Sequence, residues 1–154
     1  MVKKNTEAKV AISRRSIGGE TPVNVAEVIK NTLYAGFSGV FDSARMKLIT
    51  DRVLDVAGRT ESDAAIIDLS AVDIIDSAVA VHLSNFAEVL KMLGIDVIFC
   101  GITPEIAQTM VSSEIRLGKL EIYPNFKKAL TESMRRHGLM LVPVNQGSPT
   151  SQQK

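Results

Sequence analysis

The stretch that most constrains the fold is AAIIDLSAVDIIDSAVAVHLSNFAEVL, Ala64 to Leu90. It opens on a short, Ile-rich apolar run, Ala64 to Leu69, too short for an ordinary helix. Such a run predicts a strand buried on both faces. An acidic, turn-like segment follows, holding Asp68, Asp73 and Asp76. From about Ser77 the apolar residues Val79, Leu83, Phe86, Leu90 and Leu93 recur every three or four positions, which makes one buried helical stripe. A small hydroxyl, Ser77, therefore stands where a buried strand hands over to a helix. In open α/β sheets, ligands and partners meet the fold at that carboxyl end of the strands.

The rest of the chain repeats the alternation. Val23 to Ile29 and Thr32 to Phe37 read as two adjacent, antiparallel strands around a turn at Lys30-Asn31. Asp42 or Ser43 can cap a helix whose Met46, Ile49, Val53 and Val56 share a face, with Gly58 as its stop. Ile95 to Cys100 is another short apolar strand, broken by Gly101. Thr103-Pro104-Glu105 has the order of a cap, a proline at the first helical position and an acid in the first turn. That helix runs through Ile106, Ala107, Met110 and Val111. Leu120 to Tyr123 is a last strand, and Pro124-Asn125 starts a last helix with Phe126, Leu130 and Met134 on one face. Arg135, Arg136 and His137 complement its C-terminal dipole, and Gly138 stops it.

Strands alternating with helices require crossover connections and a largely parallel sheet. The expected fold is thus a small α/β domain over residues 22–138: a mostly parallel sheet of four to five strands with helices packed on it. Residues 1–21 read as an N-terminal arm, with a short edge strand at Val10 to Ile12. Residues 139–154 read as a C-terminal extension ending in a disordered tail. Its apolar stretch, Leu139 to Val144, is expected to pack on its own domain or on a partner chain, because exposed together these side chains form a sticky patch.

Composition narrows the function by exclusion. With 18 basic and 17 acidic residues the net charge is +1, so no global field attracts nucleic acid or an anionic membrane. One cysteine, Cys100, rules out an internal disulfide framework and suits a reducing compartment. No apolar run approaches the ~20 residues that span a bilayer. The expectation is a soluble cytoplasmic protein. Enzyme constellations are missing: His82 and His137 lie far apart, no His or Cys spacing suggests a metal site, and no glycine-rich phosphate loop follows a strand. Cys100 ends a buried strand, where a free thiol behaves as a small hydrophobe. Asp68, Asp73 and Asp76 could hold a divalent cation. The favoured reading is plainer: Asp73 and Asp76 complement a helix N-terminus, and Asp68 ends its strand. No cofactor and no metal is called for, and the chain reads as a non-enzyme.

The segment Ile67 to Val111 resembles the STAS family, the domains of bacterial anti-sigma-factor antagonists and of stressosome scaffold proteins. The likeness rests on a strand ending Ile67-Asp68-Leu69-Ser70, on Asp76-Ser77 opening a helix, and on Gly101-Ile102-Thr103-Pro104-Glu105-Ile106-Ala107-Gln108-Thr109. The last is similar to the stressosome branch, although Thr103 stands where that branch often has arginine. The resemblance implies a non-catalytic phospho-switch. The phosphorylated hydroxyl falls on Ser77, and the partner-binding surface on Asp73, Asp76, Ser77 and Ala78. The partner is a serine kinase of the anti-sigma type, which supplies the ATP. Assembly with other STAS chains is the scaffold version, and a serine at this position resembles the smaller scaffold or a simple antagonist. Thr109 matches a second phosphorylated threonine of the larger scaffolds, yet it lies late in a helix, where a hydroxyl bonds back to a carbonyl one turn earlier. The alternative is a STAS domain that binds a small ligand, a nucleotide, anion or lipid, within a transport system.

Overall fold

The computed structural model describes residues 23–115 and 119–144. The proposed arm at residues 1–21, with its strand at Val10 to Ile12, and the tail from residue 145 lie outside the described residues. Five strands and four helices stand among the described residues: β1 (Val23–Ile29), β2 (Thr32–Val40), α1 (Ser43–Thr60), β3 (Ala64–Ile74), α2 (Ser77–Met92), β4 (Asp96–Cys100), α3 (Pro104–Ser112), β5 (Glu121–Tyr123) and α4 (Phe126–Arg136). The strands form one sheet in the order β1-β2-β3-β4-β5. β1 and β2 are antiparallel, and every later pair is parallel. This is the α/β architecture that the alternation implies.

Helices cover the sheet unequally. Leu33, Ala35 and Phe37 of β2, Ala65, Ile67 and Leu69 of β3, and Phe99 of β4 form the main core with the buried stripes of α1, α2 and α3. The opposite face carries a smaller cluster, Ile66, Ile98 and Cys100 with Ala129 of α4. Thr32 and Ser133, both buried, satisfy each other by a 2.9 Å hydroxyl–hydroxyl bond between β2 and α4. β3 has helices on both sides, so every residue from Ala64 to Leu69 is buried, as an uninterrupted apolar run requires.

Two boundaries and one packing expectation differ from the sequence reading. β3 does not end at Leu69. It continues to Ile74 beside a β2 that continues to Val40, so Asp68 and Asp73 belong to a strand and not to a turn. In its second half Val72 alone stays buried, in the main core, while Ser70, Ala71, Asp73 and Ile74 are exposed. Gly58 does not stop α1; the helix runs to Thr60, and Glu61 takes the left-handed conformation at φ 50°. The buried stripe extends one position past the expected Val56, to Ala57, and the Thr60 hydroxyl bonds back to the Val56 carbonyl. Of the two places expected for Leu139 to Val144, its own domain or a partner chain, its own domain does not cover it. Gly138, at φ +71°, turns the chain away from α4, and Leu139, Met140, Leu141, Val142 and Val144 are exposed.

Candidate functional site

The carboxyl ends of β2, β3 and β4 each feed a helix, and each helix is capped by a side chain. Asp42 accepts the Arg45 N–H at 2.8 Å, Asp76 the Val79 N–H at 2.8 Å, and Thr103 the Ile106 N–H at 3.3 Å. Each cap satisfies a backbone donor that the first helical turn leaves over. Three parallel strands thus present three helix N-termini at one edge of the molecule, with α2 in the middle.

Ser77 is the first residue of α2, and it is exposed together with Asp73, Asp76 and Ala78. Ile75 and Ala80 flank the cap and are both buried, at the positions of a hydrophobic staple. The chain is therefore gripped on either side of Ser77 while the serine itself faces solvent. Two extra residues in β3 set this placement. From Gly36 to Ser38 β2 advances two residues while β3 advances three, from Asp68 to Ala71. From Gly39 to Val40 it advances one, while β3 advances two, from Val72 to Ile74. Bulges of this kind bend a strand and re-aim the chain beyond it.

The first bulge is pinned by Asp68. The carboxylate is buried and accepts the Ser70 N–H at 2.9 Å and the Tyr34 hydroxyl at 3.1 Å. Tyr34 in turn meets Phe126 of α4 edge-on, with ring centroids 4.9 Å apart. Burial, and then Asp68 beside it, pushes the Tyr34 hydroxyl up to about 12 and the Cys100 thiol up to about 12. Both are neutral at physiological pH, and the thiol is buried, so Cys100 is no nucleophile in the folded chain.

The residues singled out in the sequence separate accordingly. Asp73, Asp76, Ser77 and Ala78 share one exposed surface. Asp68 does not end its strand; it is a buried structural carboxylate. Among the described residues no group of three or more His, Cys, Asp or Glu side chains is placed to hold a metal ion. Thr109 donates its hydroxyl to the Glu105 carbonyl at 3.2 Å, the bond expected of a mid-helix threonine. His82 is exposed on α2. The sequence reading missed Val40 and Ile74. They pair in register just before the helices begin and leave 53% and 57% of their surface exposed, so an apolar flank lies next to the Ser77 turn. An apolar residue at the polar end of a strand was the available signal.

A sheet of this order, three capped helices on one face and an exposed serine opening the middle one define a small α/β domain of the STAS type. The STAS domain model matches residues 25–129, and the chain belongs to that family. It is 26% identical over 119 residues to the RsbT co-antagonist protein RsbRA of Bacillus subtilis, covering 77% of this chain and 43% of that protein. The chain thus spans less than half the length of this relative. Among solved structures it is similar to RsbS of Moorella thermoacetica, in a serine-to-glutamate variant, at a TM-score of 0.66 and 18% identity over 76% of this chain and 98% of that one. It is likewise similar to the anti-sigma factor antagonist SpoIIAA in its unphosphorylated form, at a TM-score of 0.62 and 14% identity over 77% of this chain and 99% of that one. No helix among the described residues is long and apolar enough to cross a membrane.

Proposed function

We propose that this chain is a non-catalytic phospho-switch of bacterial stress signalling, acting in the cytoplasm as an anti-sigma-factor antagonist or stressosome scaffold. Ser77 is its phosphoacceptor. The observation that carries the reading is the exposed Ser77 at the first position of a rigidly capped helix, on the edge where three helix N-termini meet. The names of the relatives support the class: one is a co-antagonist, and another is an antagonist described by its phosphorylation state. Unmodified, the surface of Asp73, Asp76, Ser77 and Ala78 binds a serine kinase of the anti-sigma type. The kinase brings ATP, this chain brings the hydroxyl, and the phosphate ends the contact. Self-association, or assembly with other STAS chains, belongs to the scaffold form.

The test is phosphorylation by the cognate kinase with the site mapped by mass spectrometry, and kinase affinity measured for Ser77→Ala and Ser77→Asp. Ser77→Ala binds and resists phosphorylation; Ser77→Asp folds and binds weakly. Phosphate on another residue, or equal affinity for the two variants, refutes the assignment. Light scattering, alone and with other STAS chains, separates scaffold from simple antagonist.

A further inference from the structure

Asp63 and Asp96 lie at the amino ends of β3 and β4, at the end of the sheet away from Ser77, and His137 caps α4 there. Its Nδ1 lies 2.8 Å from the Ser133 carbonyl oxygen, and its Nε2 lies 2.7 Å from Asp63 Oδ1. A carbonyl and a carboxylate can only accept, so both contacts are hydrogen bonds only when both ring nitrogens carry protons. Only the imidazolium carries two N–H groups; a neutral ring would turn a lone pair on one of the two oxygens. Asp63 is itself a junction. Its N–H donates to the Asn31 carbonyl, and its own carbonyl accepts the Asp96 N–H at 2.8 Å. In its protonated form this one side chain joins α4 to the starts of β2, β3 and β4. Immediately afterwards the Leu139 N–H closes on the Met134 carbonyl at 2.8 Å, and the exposed apolar segment begins.

We propose that His137 is a proton-operated clamp: as the imidazolium it holds the last turn of α4, and the root of the apolar segment Leu139 to Val144, against the amino end of the sheet, and it lets go when it loses its proton. A neutral ring keeps one of the two bonds and repels the other oxygen. The charges that act on His137 are Asp63, from the loop before β3, and Arg136, beside it on α4. Arg136 is held by Glu132 of its own helix, Glu121 of β5 and Asp96 of β4, so its opposing charge is partly answered. The Ser133 carbonyl and then Asp63 raise the histidine above its ordinary value, against burial. The raised value fixes the sign. The clamp is fully closed below the unfolded histidine's pKa, about 6.5, and opens as pH rises through the folded one. One proton leaves, so beyond that point opening grows by up to about tenfold per pH unit.

The experiment follows the full-length ¹⁵N-labelled chain by NMR from pH 5 to 9. It reads the protonation of both His137 nitrogens and the exchange protection of the Leu139 amide, corrected for intrinsic base catalysis. In the wild type His137 titrates above the unfolded histidine, with protons on both nitrogens below its midpoint, and Leu139 protection falls with that titration. In Asp63→Asn the titration moves down, and protection persists at high pH, because the amide can donate to a neutral ring. A His137 that titrates at or below the unfolded histidine overturns the proposal. So does Leu139 protection that ignores the His137 titration, or that follows the same pH course in Asp63→Asn. Should that variant fail to fold, the wild-type titration decides alone.

Discussion

Gly101→Ala is the substitution whose cost the structure specifies most closely. Gly101 leaves β4 at φ +69°, and a Cβ built there would lie 2.7 Å from Asp68 Oδ1, from the Ser70 Cβ and from the Ser70 backbone nitrogen. Two penalties arise. The left-handed conformation itself costs an alanine about 1–2 kcal/mol. The clash is with backbone and a buried carboxylate, so neither can swing aside cheaply. Relief requires parting Asp68 from the Ser70 N–H, a bond to a charged acceptor whose loss costs about 1.5–3 kcal/mol. The sum is about 2.5–5 kcal/mol, a large share of the ~5–15 kcal/mol that holds a domain together.

Gly39→Ala supplies the internal control. Gly39 has φ +81° with nothing within 4 Å of its would-be Cβ, so only the conformational penalty of about 1–2 kcal/mol applies. Urea denaturation of both variants, followed by circular dichroism and by tyrosine fluorescence, gives the comparison, provided the two probes coincide and m is unchanged. If the two glycines cost the same within about 0.5 kcal/mol, then Asp68 does not pin the β3 bulge in the way described.

Thr103→Ala removes the α3 cap and lowers stability by about 0.5–1 kcal/mol, toward the low end because the 3.3 Å bond is long; an unmoved urea midpoint refutes the cap. Cys100, buried and with its thiol pushed up to about 12, stays unlabelled by a thiol reagent in buffer and reacts fully in urea; labelling at the same rate in both refutes the burial. Arg135 and Arg136 hold the Glu132 carboxyl down at about 2. A depressed carboxylate stabilises above its ordinary range, so this contribution is present at neutral pH and lost as pH falls from about 4.5 toward 2; a melting temperature whose acid limb is unchanged in Glu132→Gln refutes it.

Periodicity gave away the elements because each carries its own burial record. The Ala64–Leu69 run reads as a strand with cover on both sides, and the stripe of α2 faces the core through Leu90, whereas Leu93, counted in that stripe, lies past the helix and is exposed. Thr103-Pro104 and Asn125 announced their helices through backbone chemistry that is local to four residues. The features that stayed hidden depend on neighbours. β3 extends to Ile74 because β2 extends beside it, and a ladder is a property of two segments. The bulges at Leu69–Ser70 and Asp73 are counting differences between strands, which no single strand displays. Asp68 looked like one of three acids in a row; that its partners are Tyr34 and Ser70 emerges only once β2 is laid against β3. Of the two His137 contacts, the one to Asp63 joins residues 74 positions apart.

The geometry also decides what a phosphate at Ser77 acts on. It would add about −1.5 to −2 charges at the start of α2. The helix N-terminus favours that charge by ~1 kcal/mol at an exposed site. Asp76 opposes it. For charges about 6 Å apart in water, the repulsion is roughly 1.4 kcal/mol, and physiological salt about halves it. The two terms nearly cancel, and neither reaches the buried stripe of Val79, Leu83, Phe86 and Leu90 that holds α2 in place. A partner laid over the same turn changes the balance, because it removes the water that screens the charge. An uncompensated polar group then costs ~2–7 kcal/mol, and a charged one more. An exposed serine on a rigid, capped corner is therefore suited to a modification that leaves the fold standing and abolishes a contact.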